Sequence, residues 1–514
     1  VVASAAVSPV AASCAGPTPG NAVVGAEVEP WLAISPLDPS RFVGLWQQDR
    51  FDNGGAKALV LALSADGGAT WQRRAMPFSR CGGAAPGSAG DFERATDPWV
   101  DIGADGAVHA MALSFDGGAF VPGSRSAMLA ARSTDGGASF GPVQVLQLDG
   151  DAVFNDKNSL TADPTDARFV YATWGRLEPD GRGPMRLSRS EDAGLTWLPS
   201  QVAYDPAAPP GGGVAQTIGA RIVVLPAGAE RGVLVAVFTQ IDTPATRPRT
   251  STVRAMRSAD KGLTWQPPVV VGTLEAIGAR DPVSGRVIRD GAVLTSVAAG
   301  PDGALWVVWQ DARFDAGRRD AIVFSRSTDG GRTWSVPARI SRDTGSAAFT
   351  PAVHVRADGT VGVMHFDLSP PRTDAATIPA ALRLLTTRDG VTWRETVLVE
   401  AFDLAPAPDA RGLFLGDYHG LASTGTAFVP FVALSSSAPG NRTDVWNLRA
   451  AAASALDAGA RPAAERHVRP TQRTALAAPE RAAFADRREA AIVRAMEQRV
   501  PGWDERTRRG AAGL

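Results

Sequence analysis

The chain has 514 residues, 44% of them hydrophobic and 20% charged, with a formal net charge of −1. That composition is ordinary for a soluble globular protein, and the near-zero charge provides no global field to recruit nucleic acid or an anionic membrane surface. No apolar run reaches the ~18 residues of a membrane-spanning helix.

The opening stretch, VVASAAVSPVAASCAG, is small and apolar, like the tail of an export signal, which implies a secreted or extracytoplasmic protein. The two cysteines, Cys14 and Cys81, could then form one disulfide tying an N-terminal arm, 1–24, to the first repeat, with two free thiols as the alternative.

From there the chain repeats. Strand pairs are expected at Trp31–Ile34 with Phe42–Trp46, Trp99–Ile102 with Val108–Leu113, and Leu160–Ala162 with Phe169–Trp174. The series continues with Ile222–Leu225 and Val233–Phe238, Leu294–Ala298 and Leu305–Trp309, Val353–Val355 and Val361–Phe366, then Tyr418–Ala422 and Phe428–Leu434. The second strand of a pair is nearly all apolar, as in Leu305-Trp-Val-Val-Trp309, so both of its faces must be covered. Blades stacked around an axis do this and protect their edges.

Between successive pairs a short motif recurs. Its copies are Ser64-Ala-Asp66-Gly-Gly-Ala-Thr-Trp71, Ser133-Thr-Asp135-Gly-Gly-Ala-Ser-Phe140 and Ser190-Glu-Asp192-Ala-Gly-Leu-Thr-Trp197. Three more are Ser258-Ala-Asp260-Lys-Gly-Leu-Thr-Trp265, Ser327-Thr-Asp329-Gly-Gly-Arg-Thr-Trp334 and the shortened Thr387-Arg-Asp389-Gly-Val-Thr-Trp393. The aspartates lie 69, 57, 68, 69 and 60 residues apart. Asp and Gly make a tight reversal, the hydroxyl bonds across it, and the aromatic ring covers it. The expected fold is therefore all-β, a propeller of four-stranded antiparallel blades over 25–450. Seven blades are preferred, the last completed by an arm strand near Asn21–Val24; six blades with an appended hairpin are the alternative. The Ala- and Arg-rich tail, 451–514, is expected to be partly helical over 480–500, between Pro479 and Pro501, with Phe484, Ile492, Met496 and Val500 on one face.

The six motif copies resemble the Asp-box, or BNR, repeats of the sialidase superfamily. The resemblance implies a glycan-facing rim on the side away from these turns. It also implies an arginine triad for a sugar carboxylate, an Asp acid/base, and a Tyr nucleophile, since guanidinium forks bind carboxylates in pairs of hydrogen bonds. By position, Asp52 matches the acid/base, with Asp49 as its substitute, and Tyr418 matches the nucleophile. Arg50, Arg94, Arg280, Arg313 and Arg411 stand at blade entrances or exits on the same face. Glu29 stands where the family has its first arginine, in Glu27-Val-Glu29-Pro30-Trp31.

Read without the family, the rim carries mixed charge that includes Glu29, Asp49-Arg50, Arg94, Asp97, Asp156-Lys157, Asp290, Asp311, Arg313 and Asp417. Asp49-Arg50 and Asp311/Arg313 occupy matching places, either as ion pairs that lock loops or as parts of a polar sugar site. The histidines show no zinc spacing, and no nucleotide loop or serine-nucleophile motif occurs, so no metal or cofactor is expected. The resemblance implies a sialidase-like exo-glycosidase acting on terminal sialic acid, or a related acidic sugar, of a glycoconjugate. The alternatives are a non-catalytic extracellular propeller binding glycan or protein, and hydrolysis of another glycan by Asp49, Asp97 or Asp311.

Overall fold

A computed structural model describes residues 1–4, 8–11, 14, 20–246, 248–342, 345–368, 374–425, 427–448, 466–471 and 478–512. These residues are mostly strands in a propeller arrangement, with a small helical part at the C-terminal end. The first strands to pair are Glu27–Ile34, Phe42–Arg50, Ala56–Ser64 and Gln72–Met76, all antiparallel. Arg94–Ile102, Val108–Asp116, Arg125–Ser133 and Gln144–Asp149 repeat the pattern, as do the four strands from Phe154 to Tyr204 and the four from Gly213 to Thr273. Further repeats begin at Ser296–Ala299, Ala348–Val355 and Gly420–Thr424.

The sheets are less regular than the sequence repeat. Five of them have four or more strands. The first eight strands form one sheet, because Ala56 pairs with Ala95 across the gap. The sheet beginning at Ala348 gains a fifth strand, Arg466–Val468, from the tail. The sheet beginning at Gly420 has three strands. A two-stranded parallel sheet, Ile288–Arg289 with Leu413–Phe414, has no counterpart among the expected elements.

The arm strand is also relocated. Ala22 bridges to Phe51, not to the last sheet. Val2 instead bridges to Trp446, and Ala3 N donates to Val445 O at 2.7 Å. Either short apolar piece could extend a sheet edge, and only tertiary pairing chooses between them. Cys14 and Cys81 are joined in a disulfide, with Cα atoms 5.7 Å apart.

Each second strand is the core of its sheet. Phe42–Arg50, Leu305–Asp311 and Val361–Leu368 are buried along their whole lengths, and Trp46, Trp174 and Trp309 have no exposed surface. The six repeated motifs form the expected turns. In the first, Ser64 Oγ donates to Asp66 Oδ1 at 2.7 Å, and Asp66 accepts from Ala69 N and Thr70 N at 2.9 Å each. The Trp71 ring then packs 5.6 Å from Phe431 in the neighbouring sheet.

Register places the two ends of the strands. Phe42 pairs with Ser64 at the turn end, and Arg50 pairs with Ala56 at the other. Arg50, Asp52 and Glu29 therefore lie on the face opposite the turns. Helix α1, Ala478–Glu497, and helix α2, Trp503–Ala511, pack on that opposite face. α1 stops three residues short of the expected end, and α2 was not anticipated. Gly502, at φ 76°, turns the chain between them.

Candidate functional site

The innermost strands share a device. Register breaks between Val28 and Trp31, Thr96 and Trp99, Ile218 and Arg221, and Phe349 and Ala352. The residues at these bulges have positive φ: Glu29 at 53°, Asp97 at 49°, Gly219 at 64° and Thr350 at 49°. Lys157, at 52°, sits at the matching irregularity in Phe154–Ala162. A bulge re-aims a side chain. Positive φ on a non-glycine residue costs about 1–3 kcal/mol, and such strain gathers at functional sites.

Three of these strained residues aim at one point. Lys157 Nζ lies 2.7 Å from Asp97 Oδ1, 3.1 Å from Glu29 Oε1 and 2.9 Å from Asp417 Oδ2. Asp417 is further held by Arg289, through Nε at 3.3 Å and Nη2 at 2.9 Å, and by Arg499 Nη2 at 3.3 Å. All six side chains are buried. Burial pushes the Glu29 carboxyl up to about 7, partly offset by Lys157. Burial also opposes the Asp417 charge, but Arg289, Arg499 and Lys157 prevail and hold it well below the usual carboxylate range. The same balance favours Lys157: burial works against its ammonium, and Asp417, Asp97 and Glu29 more than restore it.

Deeper on the axis lies an aromatic cluster. Trp31 and Trp99 stack with centroids 3.8 Å apart, and Tyr418 meets them at 6.0 and 5.5 Å. The Arg221 guanidinium lies 5.0 Å from the Trp31 ring and 4.9 Å from the Trp99 ring. Tyr418 is 5% exposed, and its hydroxyl donates to Pro98 O at 3.2 Å. Burial, followed by the charges of Glu29 and Asp97, raises the phenol well above its ordinary value, so it stays neutral.

An open cleft of about 570 Å³ sits beside the axis, lined by Gly20, Asn21, Asp52, Asn53, Asp409 and Arg411. Asp52 accepts from Asn21 N and Asn21 Nδ2 at 3.2 Å each. Arg411, exposed and at φ 64°, donates to Glu497 O and Gln498 O at 3.1 Å each.

The other rim residues have local duties. Asp49 accepts from Gly25 N at 3.0 Å and from Ser8 Oγ at 3.1 Å. Arg50 donates to Gln47 Oε1 at 3.0 Å and lies 5.1 Å from the Phe414 ring, so no Asp49–Arg50 ion pair forms. Asp311 and Arg313 do pair, at 2.7 and 2.5 Å. Arg94 donates to Asn53 Oδ1 at 2.6 Å and lies 4.3 Å from the Phe51 ring. Arg280 donates to Gly285 O at 3.4 Å in its own loop. Asp52 and Arg411 thus share the cleft, Asp97 belongs to the axial network, and Tyr418 lies beneath that network.

Arg221 and Arg499 escaped sequence reasoning, and Lys157 and Asp417 stood only among the rim charges. One signal was present: Glu29-Pro30-Trp31 and Asp97-Pro98-Trp99 are the same acid-Pro-Trp step in successive repeats. Among the described residues, no group of three His, Cys, Asp or Glu side chains is placed to hold a metal ion. Glu29, Asp97 and Asp417 share an ammonium instead.

No family profile matches the chain, and no curated protein matches it. Solved structures do. A polysaccharide lyase, an ulvan lyase bound to a glucuronic acid–sulfated rhamnose unit, aligns at TM-score 0.50 and 14% identity, over 83% of this chain and 95% of its own. An α-L-arabinofuranosidase from Fusarium graminearum aligns at TM-score 0.45 and 12% identity, over 73% and 95%. A Hadza microbial sialidase aligns at TM-score 0.44 and 16% identity, over 80% and 73%. At such identities the likeness concerns the fold. Among the described residues, no helix is long and apolar enough to cross a membrane.

Proposed function

We propose that this chain is a secreted, carbohydrate-active propeller that takes an acidic sugar on the face opposite its repeated turns. The observation that carries this reading is the open cleft in which Arg411 faces Asp52, Asp409, Asn21 and Asn53. A guanidinium, two carboxylates and two amides supply the donors and acceptors that sugar hydroxyls and a sugar carboxylate require. The ring is read as seven-bladed, counting the joined first eight strands as two blades and completing the last blade with residues 1–4.

Calorimetric titration with sialyllactose and with lactose tests the reading. Sialyllactose is expected to bind, with at least a tenfold loss in both Arg411→Ala and Asp52→Ala. Equal binding of both sugars, or of neither, refutes it.

A second reading is exo-hydrolysis of terminal sialic acid, with Asp52 as acid/base and Tyr418 as nucleophile. It is favoured by the convergence of Arg50 and Arg289 on the Phe414 ring, at 5.1 and 4.4 Å, with Arg411 close enough to Arg289 to feel its charge. It requires Tyr418 to leave Pro98 O and reach the cleft. Release of 4-methylumbelliferone from its sialoside by the wild type, abolished in Tyr418→Phe, is the expected result under this reading. Absence of turnover in the wild type leaves the binding reading in place.

A further inference from the structure

The C-terminal helices lie across the mouth of the axis. Phe484 packs against Gly317 and Ala312, and Arg487 Nε donates to Gly317 O at 2.9 Å. Arg488 lies 3.7 Å from Glu275, and Arg494 Nη2 donates to Ile277 O at 2.5 Å. At the centre, Arg499 meets Asp417, while Arg289 and Arg411 each donate to Gln498 O at 3.1 Å. On the far side Trp503, fully buried, donates to Gln216 Oε1 at 3.0 Å, and Arg506 covers the Phe120 ring at 3.6 Å. The segment therefore spans the axis from one side to the other. It reaches the Lys157 network through Arg499, and Ile492, Met496 and Val500 share an apolar cluster with Tyr418.

Two details distinguish this segment from an ordinary docked helix. The carbonyls of Glu497 and Gln498, at the C-terminal and partly negative end of α1, both accept from Arg411 Nη1, and Gln498 O also accepts from Arg289 Nη1. Arg411 also lines the open cleft, so the helix end and a cleft ligand compete for one guanidinium. Beneath the segment, strained backbone holds a charged ring above stacked tryptophans, a costly arrangement for a surface that is permanently sealed.

We infer that residues 478–512 form an intramolecular cap over the axial Lys157 network, and that this face is uncovered when the cap leaves. The consequence for sugar access rests on the reading above; the closure itself does not.

Hydrogen exchange on the full chain tests the closure. Met496→Asp/Trp503→Ala removes the apolar anchors, and Arg487→Ala/Arg488→Ala/Arg494→Ala removes the polar ones by an independent route. Exchange at 29–32, 97–100 and 155–159 is expected to rise at least tenfold in either variant, with Leu305–Asp311 still protected. Loss of protection across Leu305–Asp311 in both variants overturns the inference, because the helices are then part of the core. Unchanged exchange at the three inner segments in a variant whose helices have lost protection also overturns it. Sialyllactose affinity is measured in parallel and is expected to rise at least tenfold on release. Exposure of the axial network with no sugar bound in any form refutes the acidic-sugar reading and leaves the cap.

Discussion

Lys157 Nζ stands 2.9 Å from Asp417 Oδ2, so a side chain from an early inner strand holds the segment that opens the last sheet. The same ammonium binds Glu29 and Asp97, and so ties four separate repeats at the axis.

Removing that ammonium leaves buried carboxylates short of a partner. Lys157→Met is expected to destabilise the protein by about 3–5 kcal/mol, since a broken buried ion pair leaves uncompensated charge. The loss should be smaller at pH 5 than at pH 8, because the Glu29 carboxyl, already pushed up to about 7, takes a proton. Urea denaturation at the two pH values measures both effects; equal losses would show that Glu29 does not share the charge.

Glu27 provides a separate pH dependence. Burial pushes its carboxyl from 4.5 up to about 8, and its Oε2 has no hydrogen-bond partner. The unfolded chain releases this proton near the ordinary carboxylate value, and the folded one holds it. Stability attributable to Glu27 is therefore full below pH 4.5 and is lost progressively up to about 8. Glu27→Gln should cancel this decline, on the order of 1–4 kcal/mol at pH 8. Melting curves of the two proteins from pH 5 to 8.5 should diverge with the variant on top.

The repeated turns should be separable from ligand binding. Asp329 accepts from Ser327 Oγ at 2.8 Å, Arg332 N at 3.0 Å, Thr333 N at 2.9 Å and Thr333 Oγ1 at 2.6 Å. Asp329→Ala is expected to cost about 1–2 kcal/mol, because the freed N–H groups can turn to water. Sialyllactose affinity should not change, since the turn lies at the opposite end of the strands. Denaturation and titration of one preparation check both.

Tyr418→Phe separates two roles of one hydroxyl. As a donor to Pro98 O it is worth about 0.5–1.5 kcal/mol, which a melting curve reads. As a nucleophile it would be indispensable to sialoside turnover. Unchanged turnover in an active wild type would assign the hydroxyl to structure alone.

The propeller was legible because its turns are chemically explicit: Ser, Asp, Gly and Trp each have one task in a reversal, and six copies fix the period. The axial network was not. Nothing in the identity of Glu29, Asp97 or Lys157 announces positive φ, because a bulge is decided by pairing with the neighbouring strand. Arg499 was hidden differently: it is one of many arginines in the expected 480–500 helix, and only the docking of α1 carries it to Asp417. Trp503 was similarly masked by the charged residues of α2. The arm was misplaced because Val2 and Ala22 sit in equally short apolar stretches, and local preference cannot choose between two edges.

The arm has a consequence for how the protein is made. Val445 N donates to Ser4 Oγ at 2.9 Å across 441 residues, and Glu27 N donates to Thr443 Oγ1 at 2.6 Å across 416. These early residues emerge from the ribosome long before their partners exist. The ring must wait, open, until almost the whole propeller has been synthesised. Its closing step is then the joining of very distant chain segments, the slow kind of contact in folding.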